Sequence, residues 1–241
     1  MTALPLAGRR ALVTGASRGI GAATARALAA LGALVAVSAR SADVVHALAA
    51  ELGGAPHAAI PADLSTTEGS DAVIAATRLW AGGAPDILVN NAGAFAHAQT
   101  GEQDPDGLAK TLKINLEAPF RLVHAFLPAM LARKSGDIVS IGSVADKVAF
   151  TGNSAYSASK YALRATHEVL RAETRGTGVR AILVSPGAVD TDIWNPLESQ
   201  LGKRFPAREA MISPDDVARA IAFALTQPRH VDIDELRLTR S

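Results

Sequence analysis

Short apolar runs alternate with longer helical patterns along the whole chain, and this alternation restricts the possible folds more than any other feature. Several runs are apolar at successive positions, as expected of strands that are covered on both faces. Strands that alternate with helices indicate β-α-β units and a parallel sheet. We therefore predict an α/β protein with a doubly wound, seven-stranded parallel sheet, built as a single domain over residues 1–241.

The element boundaries follow from the apolar runs and from the helix start and stop signals. One long irregular segment, 186–211, comes after a predicted strand, and such loops border the ligand crevice of an open α/β sheet. We predict that it is the substrate loop. The predicted strands are 10–14, 34–38, 57–60, 87–90, 137–141, 179–185 and 231–238. The predicted helices are 19–31, 42–52, 66–81, 105–133, 155–176 and 213–227.

Composition excludes several classes of function. The net charge is +1 and the charges are scattered, which argues against nucleic-acid and anionic-membrane surfaces. There are no cysteines, so disulfides and thiolate chemistry are excluded, and the six histidines are too far apart to predict a metal site. The N-terminus reaches charged residues before any apolar stretch of signal length, and no run is long enough to span a bilayer. The expected location is the cytoplasm.

A glycine-rich turn follows the first predicted strand and opens the first predicted helix. Its glycines, Gly15, Gly19 and Gly21, have the spacing G-x-x-x-G-x-G, which differs from the G-x-G-x-x-G fingerprint. The physical effect is the same, because glycines let the backbone approach a pyrophosphate at the helix N-terminus. A glycine-rich turn without a ligand is the alternative, but the position of this turn favours a dinucleotide site and a Rossmann fold.

The end of the second predicted strand indicates which cofactor is used. NAD sites place an acid there to bind the ribose 2′-hydroxyl, whereas this chain has Arg40. A guanidinium suits the additional 2′-phosphate of NADP, and Arg18 in the glycine-rich turn offers a second cation. Two solvated surface arginines are the alternative. We predict NADP as the cofactor.

Three features downstream indicate proton and hydride chemistry. Tyr156 and Lys160 are four residues apart and therefore share one face of a helix. A phenol is too weak an acid at neutral pH unless a nearby cation stabilises its phenolate. Ser143, after the fifth predicted strand, can hold a substrate oxygen on which charge develops. The fourth predicted strand ends in Asn90-Asn91-Ala92-Gly93, next to the predicted crevice.

From about residue 9 to residue 225 the sequence resembles the short-chain dehydrogenase/reductase family. The motifs that carry the resemblance are Thr14-Gly15-x-x-x-Gly19-x-Gly21, Asp63-Leu64, Asn90-Asn91-Ala92-Gly93, Asn115, Ser143, Tyr156-x-x-x-Lys160 and Pro186-Gly187-x-x-x-Thr191. The ending 228–238 is similar to that of bacterial NADP-dependent 3-hydroxy acid and serine dehydrogenases, whereas the glycine-rich ending of many tetrameric members is missing.

The resemblance implies a role for each matching residue. It implies that Tyr156 is the general acid/base, that Lys160 lowers its pKa and binds the ribose, and that Ser143 orients the substrate. It also implies that Asn115 holds a water linking Lys160 to solvent and that Asp63 binds the adenine amino group. The full predicted cofactor site is Gly15, Ser17, Arg18, Gly19, Ile20, Gly21, Arg40, Asp63, Leu64, Asn91, Ala92, Gly93, Tyr156, Lys160, Pro186, Gly187, Val189 and Thr191.

The function predicted from these features is NADPH-dependent interconversion of a ketone, an aldehyde or a 3-oxo acid with its alcohol. A nucleotide-sugar epimerase would need a large additional substrate domain, for which this chain has no room. A catalytically silent NADP sensor or scaffold is the alternative, although silent relatives typically lose the tyrosine or the lysine. The candidates for an apolar substrate pocket, each of which has an equal chance of being a core or interface residue, are Phe95, Phe150, Trp194, Leu197 and Phe205.

Two further expectations concern charge and assembly. Lys203, Arg204 and Arg208 in the predicted substrate loop offer cations for a substrate carboxylate, although surface solvation is the preferred interpretation. The helical patterns 105–133 and 155–176 are apolar over more than one face, which predicts burial on more than one side. Together with the family resemblance, this pattern predicts a homodimer or homotetramer.

Overall fold

The structure is a computed structural model that describes residues 4–53, 56–201 and 207–241. Its strands are β1 (Arg10–Thr14), β2 (Leu34–Ala39), β3 (Ala58–Pro61), β4 (Ile87–Asn90), β5 (Gly136–Ile141), β6 (Val179–Pro186) and β7 (Glu235–Leu238). Its α-helices are α1 (Gly19–Ala30), α2 (Ala42–Glu51), α3 (Thr67–Ala81), α4 (Pro105–Leu112), α5 (Ala118–Ala132), α6 (Ser154–Thr174), α7 (Asn195–Leu201) and α8 (Pro214–Leu225).

All seven strands form one parallel sheet in the order β3-β2-β1-β4-β5-β6-β7. The order reverses between β1 and β4, so the carboxyl ends of these strands flank the crevice of a doubly wound sheet. β4, β5 and β6 are buried at every position, which explains their unbroken apolar runs. The predicted Rossmann fold with seven parallel strands is confirmed.

Each face of the sheet is covered by its own layer of helices. Helices α1, α2 and α8 pack on one face, where they bury side chains of β1 such as that of Val13. Helices α3, α5 and α6 contribute to the core on the other face. The side chain of Leu12, next to Val13 in β1, is buried in this second core. The strands therefore bury both of their faces, although the chain is only 4% aromatic. Ala, Val, Leu and Ile side chains form most of both layers, and Phe126 and Met130 join them on the second face.

Most predicted boundaries agree with the structure within about two residues. The predicted helix 105–133 is the main exception, because a π-helical turn, Lys113–Glu117, separates α4 from α5. The amide of Ala118 bonds to the carbonyl of Lys113, five residues earlier. Pro119 has no amide hydrogen for the Asn115 carbonyl, which a regular α-helix would require. The proline thus gives a physical reason for the interruption.

The prediction of a strand over 231–238 is also wrong in its first half, since β7 begins at Glu235. The amide of Val231 bonds to the carbonyl of Pro228 in a turn. The carbonyl of Val231 accepts a hydrogen bond from the Arg180 side chain (3.2 Å). These backbone groups are therefore bonded outside the β-ladder, and only the last four residues of the run pair with β6.

The predicted substrate loop is more regular than expected. It contains a 3-10 turn at Asp192–Trp194, helix α7 and a second 3-10 turn at Arg208–Ala210. A bridge between Val189 and Ile212 closes its base. Three of the residues predicted to act in this loop, Lys203, Arg204 and Phe205, lie outside the described residues.

No helix within residues 4–53, 56–201 and 207–241 is long and apolar enough to cross a membrane. Within these described ranges there is also no group of three or more His, Asp or Glu side chains that could hold a metal ion.

Helix α6 carries a buried histidine that should make stability depend on pH. His167 is 3% exposed, its Nδ1 lies 3.0 Å from the hydroxyl of Ser140, and burial lowers its pKa from 6.5 to about 4. Because the unfolded chain binds the proton more readily, this group lowers the free energy of unfolding as the pH falls from about 6.5 to about 4.

We predict that His167→Gln will make the free energy of unfolding less dependent on pH over this interval. The shift corresponds to about 3 kcal/mol for the wild type between neutral pH and about pH 4. Urea unfolding at the two pH values measures it. His46→Gln, at an exposed position on helix α2 on the other side of the sheet, is the control and should keep the wild-type dependence. Equal slopes for the wild type and His167→Gln would contradict the prediction.

Candidate active site

The carboxyl ends of the central strands open into one large cavity of about 730 Å³. Every residue of the predicted site lines it except Gly21 and Asn115, which lie close behind the lining. The shared members are Gly15, Ser17, Arg18, Gly19, Ile20, Arg40, Asp63, Leu64, Asn91, Ala92, Gly93, Ser143, Tyr156, Lys160, Pro186, Gly187, Val189 and Thr191. Residues separated by up to 176 positions in the sequence therefore meet in one crevice.

The glycine-rich turn fits closely against its neighbours. Gly15 and Gly19 have positive φ angles of 65° and 55°, which L side chains rarely adopt. A Cβ atom on Gly15 would lie 2.7 Å from the Cα of Ala92, and one on Gly19 would lie 2.9 Å from the Thr191 side chain. Arg18 at the N-cap of α1 makes no side-chain capping bond, so the first amides of the helix remain donors for an anion.

A clasp between β1 and the segment after β4 holds the base of the cavity. The Asn91 side-chain nitrogen donates to the carbonyls of Thr14 (2.8 Å) and Gly15 (3.1 Å). The Thr14 hydroxyl accepts from the amides of Asn91 and Ala92, each at 3.1 Å. The Asn91 side chain thus fixes the glycine-rich turn relative to the neighbouring strand.

The far end of the cavity carries the residues predicted to bind the adenosine. Arg40 is exposed and lies close enough to Asp63 for its charge to contribute to a lowered pKa of that carboxyl. The larger cause is the hydrogen bond that the Ser65 amide donates to Asp63 (2.9 Å). Arg18 is also exposed and lies 3.6 Å from Asp192 in the substrate loop. Two exposed guanidinium groups therefore lie at the cavity edge, and that of Arg18 has a carboxylate nearby.

Tyr156 and Lys160 face the cavity from the first turns of α6. The Lys160 Nζ donates to the carbonyl of Ile141 (2.8 Å) and lies 5.7 Å from the centroid of the Tyr156 ring. Burial lowers the pKa of Lys160 to about 8. Burial raises the pKa of Tyr156, while hydrogen bonding with Ser143 opposes that rise. Burial and the hydrogen bond with Ser143 therefore act on the phenol in opposite directions.

Asn115 connects the π-helical turn to the site. Its Oδ1 accepts from the amide of Ala94 (2.8 Å), and its Nδ2 donates to the Ala94 carbonyl (3.0 Å) and to the Ser159 hydroxyl (2.9 Å). These bonds tie the segment after β4 to α6. π-turns often occur at functional sites. Both hydrogens of Nδ2 are used in these bonds, so the water predicted at Asn115 would have to donate to the second lone pair of Oδ1 or bind an atom outside this side chain.

Aromatic side chains form the wall above Tyr156. The ring of Phe95 contacts Tyr156 edge-on, with centroids 5.0 Å apart, and contacts Trp194 at 4.9 Å. The Trp194 indole donates to the carbonyl of Val189 (2.8 Å). Phe150 and Leu197 line the same cavity. Of the apolar candidates, the four that lie in described residues all line the cavity.

Of the three cations predicted in the substrate loop, Arg208 lies in the described residues, and it is bound to other protein groups. Arg208 lies 2.5 Å from Glu198 and 3.1 Å from Asp190, and it donates to the carbonyl of Thr191 (2.7 Å). These contacts connect the two ends of the substrate loop. A substrate carboxylate would have to displace them.

Sequence reasoning missed several residues at the site. His97 and Asn153 line the cavity, yet neither belongs to a spaced pattern that would have marked it. Asp146 lies behind Ser143 and is fully buried. A single acid in a predicted turn gives no signal in the sequence, because it is normally solvated.

The fold and the cavity define an α/β protein of the dinucleotide-binding type. The family described as short chain dehydrogenase matches residues 9–202, well over half of the chain. The chain belongs to this family of nicotinamide-dependent oxidoreductases.

Individual relatives agree with the family assignment. The chain is 37% identical over 238 residues to the glycine betaine reductase ATRR of Emericella nidulans, a match that covers 96% of this chain but only 19% of that protein. A metagenomic short-chain oxidoreductase solved in complex with NADP is 36% identical, with a TM-score of 0.80 over 98% of this chain and 100% of that one. An alcohol dehydrogenase from the archaeon Thermococcus sibiricus, solved with 5-hydroxy-NADP, is 29% identical, with a TM-score of 0.84 over 95% of both chains.

Proposed function

We propose that this protein is an NADPH-dependent carbonyl reductase that interconverts a ketone or aldehyde with its alcohol. The observation that carries the proposal is the arrangement of Ser143, Tyr156 and Lys160 in the cavity that the glycine-rich turn borders. A silent scaffold would have no need of an aligned acid, cation and hydroxyl. The presence of all three favours a catalyst.

The residues around the cavity fit a dinucleotide. The free amides at the start of α1 suit the pyrophosphate, and the positive-φ glycines let it approach the backbone. Arg18 and Arg40 suit a 2′-phosphate, whereas an acid at the end of β2 would repel it. Lys160 lines the same cavity and would bind the nicotinamide ribose. When bound, the nicotinamide supplies the hydride and, in its oxidised form, a positive charge that favours the phenolate.

The protein groups around the reacting carbonyl have separate roles. The Ser143 hydroxyl donates to the carbonyl oxygen, on which negative charge develops. The phenol of Tyr156 gives its proton to that oxygen during reduction and takes it back during oxidation. Lys160 favours the anionic phenol through its charge, and its position against Ile141 fixes that charge at the site.

The shape of the pocket supports a neutral substrate with one apolar substituent. Phe95, Phe150, Trp194 and Leu197 present apolar surface next to Tyr156. Arg208 is bound to Glu198 and Asp190, so recruiting it for a substrate carboxylate would break existing ion pairs. We therefore favour a neutral ketone over a 3-oxo acid.

The function is tested first at the proton donor. Tyr156→Phe should lower kcat for NADPH-dependent carbonyl reduction by about 100-fold or more, because the transferable proton is lost. NADPH affinity, measured by fluorescence titration, should change little. The matched control is Tyr161→Phe, one turn away on the exposed side of α6, which should keep wild-type activity. Retention of more than about a hundredth of the rate by Tyr156→Phe would contradict the assignment.

Cofactor preference is tested at the end of β2. Arg40→Leu should raise KM for NADPH by about tenfold or more while leaving KM for NADH nearly unchanged, because a charge-assisted bond to the 2′-phosphate is lost. Adding Ala39→Asp should make NADH the better cofactor. Arg26→Leu, which removes an exposed arginine paired with Glu51 outside the cavity, is the control. Equal efficiency of the unaltered enzyme with both cofactors would refute the proposal.

We also propose a homo-oligomer, a dimer or tetramer, that covers the outer faces of α5 and α6. Phe120 on α5 and Val169 on α6 are 60% and 57% exposed on the same side of the sheet. Light scattering should show more than one chain per particle, and Phe120→Asp should reduce that number. Leu79→Asp on α3, where the native side chain is 88% exposed, should leave the mass unchanged. A monomeric wild type at micromolar concentration would overturn the proposal.

A further inference from the structure

Directly behind the proposed catalytic serine lies a carboxylate to which the mechanism assigns no role. Asp146 is 0% exposed and ends the 3-10 turn Val144–Asp146. Its Oδ2 accepts from the amide of Ser143 (3.4 Å) and from the hydroxyl of Ser185 on β6. The Ser143 hydroxyl accepts from the amide of Ala145 (3.1 Å) and completes a capping box. The carboxylate therefore fixes the turn that presents Ser143 to the cavity.

Charged side chains from two other elements surround this carboxylate. Its Oδ1 lies 3.2 Å from Arg164 on α6 and 3.5 Å from Arg237 on β7. Arg164 in turn pairs with Glu235 (2.6 Å) and Glu168 (3.2 Å). Lys147 pairs with Glu235 at 3.2 Å. Three cations thus face three carboxylates, as burial of a charge requires.

The same carboxylate adjoins the segment to which Lys160 is bonded. Lys160 donates to the carbonyl of Ile141, and Ser143 follows two residues later. A Cβ atom on the intervening Gly142 would lie 2.6 Å from the Asp146 Oδ2, so the two are in direct contact. Burial has the largest effect on both groups, since it raises the pKa of Tyr156 and lowers that of Lys160, and the negative charge of Asp146 acts on each of them in the upward direction.

We propose that Asp146 is a positioning residue for the catalytic centre, where it holds the Ser143 turn and sets the pH range in which Tyr156 exchanges its proton. The inference rests on the function proposed above. Without the negative charge of Asp146, the Tyr156 phenolate would no longer be repelled and the Lys160 ammonium would no longer be attracted. Both pKa values would therefore fall. The alkaline limb of carbonyl reduction and the rising limb of alcohol oxidation should then both move to lower pH.

Asp146→Asn tests the proposal, because the amide keeps the shape and can still bond to Ser185 and Arg164. We expect both limbs to move down by about half a pH unit or more. We also expect kcat to fall by about tenfold or more through displacement of Ser143. KM for NADPH should hardly change, because Asp146 does not line the cavity.

Asp137→Asn is the matched control. Asp137 is also 0% exposed and lies at the opposite end of β5, where Arg9 (2.5 Å), Arg180 (2.7 Å) and Arg229 (3.0 Å) surround it. Its replacement should lower the free energy of unfolding without moving the pH profile. A profile for Asp146→Asn that superimposes on the wild type, or an equal shift in Asp137→Asn, would overturn the proposal.

Arg237→Gln should shift the pH profile in the opposite direction from Asp146→Asn. It tests the proposal even if Asp146→Asn fails to fold. The variant removes a half-buried cation next to the carboxylate, so the limbs should move to higher pH. An unchanged profile, or a shift to lower pH, would contradict the role assigned to the charge.

A direct titration of Tyr156 separates this proposal from the proposed function. The chain has two tyrosines, so in a Tyr161→Phe background the ultraviolet absorbance of tyrosinate reports Tyr156 alone. Asp146→Asn should lower the titration midpoint in that background, in protein whose tryptophan fluorescence shows that it is still folded. A lowered midpoint without carbonyl turnover would contradict the function alone, whereas turnover with an unmoved midpoint would contradict the role of Asp146.

Discussion

The parallel register between β4 and its two neighbours is the constraint on which the site depends. β4 pairs with β1 on one side and with β5 on the other, so all three strands end at one edge of the sheet. The clasp from Asn91 to Thr14 then fixes the glycine-rich turn against β4, and Lys160 joins the end of β5 through the Ile141 carbonyl. A shift of register would separate the proposed cofactor cradle from the proposed proton donor.

Helix α6 meets three different demands with one set of turns. Its first turns present Tyr156 and Lys160 to the cavity, while Leu170 packs into the core against the sheet. Between them, Arg164 pairs with carboxylates from two other elements. Residues three or four positions apart share one face of a helix. Tyr156, Lys160 and Arg164 are spaced by four residues, so they follow one another along one side of α6 in successive turns. The site and the core therefore stabilise the same helix.

The fold was predictable because its signals are local and repeated. Strands buried on both faces give unbroken apolar runs, and the helix that begins after Ser213 carries its own capping box. The interruption at Lys113–Glu117 was not predicted, because the apolar periodicity continues through it and only Pro119 marks the change. The strand predicted over 231–238 began too early. Val231 is apolar, as a strand residue would be, but its backbone groups bond to a turn and to the Arg180 side chain.

The candidate site was predictable to the extent that its residues belong to spaced motifs, which explains why nearly all of them line one cavity. The contact of Phe95 with Tyr156 and Trp194 depends on tertiary packing and has no counterpart in the sequence pattern. The same holds for Asp146, whose significance comes from the cations of α6 and β7 that only the fold brings to it.

The tight fit at Gly142 has a consequence for how this part of the family can vary in evolution. A side chain at that position would occupy the space of the Asp146 carboxylate and of the Ser185 hydroxyl, each 2.6 Å from the added Cβ atom. A relative with a larger residue in place of Gly142 should therefore carry a small or uncharged residue in place of Asp146. Arg164 would then keep its ion pairs with Glu235 and Glu168, so it need not change. Positions 142 and 146 are therefore expected to be inherited together, as a coupled pair.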